Sequence, residues 1–101
     1  MTSQTIQDVK FLLAPFHAEA LANVCGQLNE HLKLIESRLG VEIHNRSNDF
    51  QVSGEAQRAQ LAAEMLKQLY QDSIDGTNIN VELIHLLLQQ SGIEQRSSNG
   101  N

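Results

Sequence analysis

Basic residues are scarce in this chain: seven Lys and Arg stand against twelve Asp and Glu, giving a formal net charge of −5. That balance excludes the basic footprint of a strong nonspecific nucleic-acid binder, so any such contact must come from a local face. Cysteine occurs once, at position 25, so no internal disulfide can form, and its apolar neighbours suit a reducing cytoplasm. Apolar runs stop at four residues, which predicts neither a transmembrane helix nor a signal peptide, and no membrane partner. The six glycines fall at 26, 40, 54, 76, 92 and 100, and none precedes a lysine. A G-x-x-x-x-G-K-[ST] phosphate loop is therefore absent from this sequence.

What is present reads as one small α+β domain in 101 residues, enough for a single modest core. Residues 1–5 read as a disordered start. Ile6 to Leu13 alternates as a strand, with Val9, Phe11 and Leu13 on one face and Asp8, Lys10 and Leu12 on the other; Pro15 ends it. A helix follows from His17 with a stripe of Ala18, Leu21, Ala22 and Cys25. Gly26 breaks it, and Asn29 is the expected N-cap of the next helix, whose stripe is Leu28, Leu32, Ile35 and Leu39. Lys33 and Glu36 form an i, i+3 pair on the wet side. Gly40 supplies a left-handed helix end. Two strands, VEIH and DFQVS, flank a four-residue turn, Asn45-Arg46-Ser47-Asn48. A third helix opens at Ser53 or Gly54 and runs to Gln71, burying Ala59, Ala62, Leu66 and Leu69 beside Ala63 and Tyr70. After the Asp75–Asn78 loop, Asn80 caps a last helix with Val81, Ile84, Leu87 and Leu88 inward. The segment 91–101 is polar and reads as a linker or tail.

The order β-α-α-β-β-α, with a glycine loop between the first two helices, resembles a type I KH domain: a three-stranded sheet packed by helices, here with an extra C-terminal helix. The run LANVCGQLNEHLKLIESRLGVEIHNRSNDFQVSGE, followed by AAEMLKQLY and later VELIHL, is similar to the N-terminal domain of bacterial PhoH-like ATPases. The resemblance spans roughly residues 8 to 90, and the domain is placed at 6–90. It implies a cytoplasmic, ATP-binding family linked to RNA metabolism. ATP and Mg would belong to a C-terminal ATPase domain absent from this chain, which itself carries no cofactor. The implied partners are that ATPase domain, RNA or an rRNA-maturation endoribonuclease, and a second copy of the chain. By the same resemblance the 91–101 segment would begin an interdomain linker.

In a nucleic-acid-binding KH domain the G-x-x-G turn sets backbone amides and a helix N-terminus against the sugar-phosphate chain. The corresponding residues are Gly26, Gln27, Leu28 and Asn29, with Lys33 and Arg46 as nearby cations; these six are the candidate nucleic-acid contacts. The second glycine is replaced by Asn29, neither central residue is basic, and Glu30 adds negative charge. A plain helix–helix corner is thus the preferred reading, and a regulatory or protein-interaction role is preferred to weak single-stranded RNA binding. His17, His31, His44 and His85 lack the spacing of a zinc site and read as solvent-facing or capping. Cys25 reads as a buried, inert thiol. No catalytic arrangement is legible, so the chain is expected not to be an enzyme.

Overall fold

The computed structural model describes residues 6–91; the expected disordered start and nearly all of the expected tail lie outside them. Strand β1 (Ile6–Leu12) leads to α1 (Ala18–Cys25), a 3₁₀ turn (Gln27–Asn29) and α2 (Glu30–Leu39). Then come β2 (Glu42–Arg46), β3 (Asp49–Glu55), α3 (Ala56–Ile74) and α4 (Val81–Ser91). The described residues thus hold four α-helices, one more than the three of the β-α-α-β-β-α order, and α4 is the addition. The sheet is antiparallel throughout, in the order β1-β3-β2.

Period-2 alternation decides which sheet face is covered. Val9, Phe11, Ile43, Phe50 and Val52 turn toward the helices, and Val52 and Phe50 on the central strand are almost wholly buried. Phe11 stacks on Phe50 with ring centroids 5.8 Å apart. The opposite face carries Asp8, Lys10 and Leu12 on β1 and Glu42, His44 and Arg46 on β2, all exposed. Against the covered face lies α3, whose Ala59, Ala62 and Ala63 are fully buried. Small side chains there bring the helix backbone close to the sheet, and Leu66 and Leu69 fill what remains.

Burial corrects the expected stripe on α1. Ala20 and Val24 face the core, whereas Ala18 and Ala22 are exposed and Leu21 is half-buried. The helix is fixed by polar clasps that an apolar pattern does not reveal. Tyr70 Oη donates to Pro15 O at 2.6 Å and accepts from His17 N at 2.9 Å. Asn23 Nδ2 donates to Ser73 Oγ and Thr77 O, and its Oδ1 accepts from Ile79 N. Expected and observed differ elsewhere too. The strands run on to leave Ser47-Asn48 as the hairpin turn, with Arg46 paired to Asp49. The α3 cap is Glu55, whose carboxylate accepts from Arg58 N. Glu36 does not serve as Lys33's surface partner: half-buried, it turns its carboxylate to Ile43 N at 2.7 Å and ties α2 to the edge of β2. Asn80 does cap α4, accepting from Leu83 N at 2.8 Å. Ile84 and Leu88 of that helix are fully buried, but Val81 is 38% exposed and lies off the core stripe.

Two glycines meet different demands. Gly40 ends α2 at φ 68°, ψ 38°, with nothing within 4 Å of a hypothetical Cβ, so only its left-handed backbone requires glycine. At Gly54 an added Cβ would come 2.8 Å from Val41 Cγ1, so there the demand is space. Replacing Gly40 by Val should lower stability by about 1–2 kcal/mol, read from denaturant midpoints at constant slope. Gly40→Asn should recover most of that loss, since Asn tolerates left-handed geometry; equal losses for Val and Asn would show that conformation is not the cause.

Candidate site at the glycine turn

Helix α1 closes at Gly26, which sits at φ 78°, ψ 175°, with its N–H bonded to Ala22 O. The next three residues make one 3₁₀ turn, and Asn29 N donates back to Gly26 O at 3.2 Å. Leu28 (φ 54°, ψ 31°) and Asn29 (φ 59°, ψ 28°) are both left-handed. This overturns two expectations. Leu28 does not join the α2 stripe but stands 91% exposed. Asn29 occupies the N-cap position, yet its side chain makes no capping bond. A capping side chain reaches the helix amides from extended backbone, which Asn29 does not have.

Inside the turn sits a residue that composition and spacing undervalued. His31 is 5% exposed, and its Nδ1 lies 3.1 Å from Asn23 O and 3.2 Å from Val24 O. Both neighbours are carbonyl oxygens, so Nδ1 carries the hydrogen and donates, capping the last turn of α1. His31 is therefore a capping histidine but not a solvent-facing one. Its position four and eight residues before Ile35 and Leu39 was the available signal. A Cβ on Gly26 would lie 2.8 Å from both Cγ and Nδ1 of this ring. Glycine is needed at 26 for two reasons: φ 78°, ψ 175° is backbone that only glycine adopts readily, and the histidine ring occupies the space beside it.

The candidate residues are brought together only in part. Gly26, Gln27, Leu28 and Asn29 form the corner, and Lys33 is exposed on the first turns of α2. Beside the corner a depression of about 440 Å³ is lined by Gly26, Gln27, Glu30, His31, Asn80 and Glu82, among others. Its charged side chains are carboxylates, with no Lys or Arg in the lining. Arg46 lines a separate depression of about 350 Å³ beside the β2–β3 hairpin, with Lys10, His44 and Asp49. It stands directly across the strand pair from Asp49. A phosphate chain laid over the glycine turn would thus meet Glu30 and Glu82 before reaching that arginine.

Cys25 and His17 have structural places. Cys25 is 8% exposed, and burial raises its thiol pKa, which disfavours the thiolate. His17 caps α1 through Nδ1, accepting from Ala20 N at 3.2 Å. His44 is exposed, and His85 Nδ1 lies 3.3 Å from an Arg38 guanidinium nitrogen. Among the described residues no three His, Cys, Asp or Glu side chains converge as metal ligands, and no helix is long and apolar enough to cross a membrane. No family model matches this chain, and no solved structure matches it at a significant level.

An exposed leucine in left-handed backbone is strained without compensating burial. Leu28→Asn should therefore stabilise the domain by about 0.5–1 kcal/mol in chemical denaturation. A loss of stability would show that Leu28 makes contacts that matter to the fold.

Proposed function

We propose that this chain is a non-catalytic interaction domain of KH-like type, of the kind that accompanies a PhoH-type ATPase domain. The element order, the glycine turn between α1 and α2 and the additional α4 support that placement. The observation that carries the interaction role is the chemistry of the turn. Where a nucleic-acid clamp requires bare backbone and positive charge, this corner presents Leu28 to solvent with Glu30 and Glu82 alongside. Losing phosphate contacts removes affinity steeply, because each contact contributes through counterion release. An exposed apolar side chain held by a rigid turn is better suited to a protein partner, where such residues anchor an interface. In this reading the partner is the ATPase domain, and ATP and Mg bind there. Val81 (38%) and Leu86 (48%) on α4 add exposed apolar surface for docking.

The competing reading is a weak single-stranded RNA module using Gly26, Gln27, Leu28, Asn29, Lys33 and Arg46. The exposed corner and the solvent-facing Lys33 favour it; the carboxylates and the separate placement of Arg46 weigh against it. An rRNA-maturation endoribonuclease as partner would be reached by either route.

One NMR experiment separates these readings. Backbone amide shifts are followed while short single-stranded RNA, ATP with Mg, or a separately produced PhoH-type ATPase domain is added at low salt. Shifts are expected at Leu28 and along α4 with the ATPase domain, and none with ATP. None are expected at Gly26–Asn29 with excess RNA. RNA-induced shifts at Gly26 and Lys33 would establish the RNA reading instead, and silence toward the ATPase domain would remove the proposed partner.

A further inference from the structure

Strand β1 is an edge strand: it pairs with β3 on one side, and no described strand pairs with the other. An open edge of this kind is a template for another strand unless it is blunted by proline, a bulge or charge. Neither a proline nor a bulge interrupts the register from Ile6↔Glu55 to Leu12↔Asp49, and its two charges, Asp8 and Lys10, blunt it only toward a strand that does not match their opposite signs. Two apolar side chains, Ile6 (65% exposed) and Leu12 (59% exposed), sit at its two ends on the open face, with Asp8 and Lys10 between them. On the helix face Val9 and Phe11 are only half-buried, although their neighbours Val52 and Phe50 on β3 are closed over.

The backbone parity of β1 follows from its last bond. Leu13 N donates to Asn48 O at 2.8 Å, continuing the β1–β3 register by one pair. Odd-numbered residues therefore aim their amides and carbonyls at β3. Ile6, Asp8, Lys10 and Leu12 aim theirs at the free edge. β2 gives an independent check: Ile43, opposite Val52, turns its N–H outward to Glu36.

We infer that β1 pairs antiparallel with β1 of a second copy of this chain, about a two-fold axis at Val9. In that register the outward residues meet as hydrogen-bonded pairs: Asp8 opposite Lys10 of the copy, and Ile6 opposite Leu12. Each exposed apolar side chain covers the other, each charge finds its opposite, and Val9 meets its own copy on the helix face. Backbone parity allows shifts only by an even number of residues. The neighbouring symmetric registers place Asp8 on Asp8 or Lys10 on Lys10, where like charges opposed are destabilising. The sequence IQDVKFL is thus self-complementary in one register. Joining the edges continues the sheet as β2-β3-β1-β1′-β3′-β2′ and keeps both helix layers on the same side. Two seven-residue strands bury less than a standard interface, so the dimer is weak and builds up with concentration.

The test is light scattering and sedimentation on the full chain at concentrations up to about 1 mM, where a weak contact is populated. Wild type should move toward twice the 11.2 kDa chain mass as concentration rises. Asp8→Lys and Lys10→Asp are surface changes whose folding is checked by circular dichroism. Each alone should weaken association by about tenfold or more, because two like-charge pairs are created. The double variant D8K/K10D should restore it, and mixing the two single variants should yield a heterodimer. A wild-type chain that stays monomeric throughout overturns the inference. So does a dimer that both single variants leave unchanged, since the contact then lies elsewhere.

Discussion

The corner between α1 and α2 depends on one steric fact: the His31 ring fills the space where a side chain at position 26 would stand. Because the ring is there, its Nδ1 reaches the carbonyls of Asn23 and Val24 and closes the end of α1. Asn23, whose carbonyl takes part in that closure, uses its side chain to hold Ser73, Thr77 and Ile79. The same short segment therefore fixes where α1 ends, where α2 begins and how the chain leaves α3 for α4. Glycine at 26 answers both its own positive-φ backbone and the packing of a histidine, and no bound phosphate is needed to explain it.

The sheet is organised by a different constraint, the close seat of α3 on the central strand. Alanines at 59, 62 and 63 allow it, and Phe50 and Val52 fill the layer between. Burial is complete at the centre and falls away at β1, whose helix-facing side chains stay half open. The unfinished edge follows from a sheet of three described strands, and the exposed corner from the left-handed turn at Leu28 and Asn29. Each leaves apolar surface where a second chain can complete the burial.

Much of the architecture was legible because period 2 and period 3.6 are local signals. Alternation in β1, the alanine stripe of α3, the Gly40 helix end and the Asn80 cap all rest on near neighbours in sequence. The errors came where tertiary demands override local preference. Leu28 has the right spacing for the α2 stripe, but it lies in the left-handed turn before the helix and stays outside. Glu36 looks like half of a surface pair until β2 offers an edge amide for it to bind. The candidate contacts were legible as a list but not as a site. Nothing near Arg46 in sequence shows that a carboxylate-lined depression, rather than the arginine, adjoins Gly26.

A double-mutant cycle between positions 26 and 31 tests the central claim most directly. Gly26→Ala, His31→Ala and the double variant are compared with wild type by reversible denaturation. If the His31 ring adds to the cost that the backbone already sets at 26, the ring's removal relieves that added part. The double variant should then lose less than the sum of the single losses, with a coupling of about 1–2 kcal/mol. Strict additivity, with Gly26→Ala equally costly whether or not the ring is present, would contradict the account.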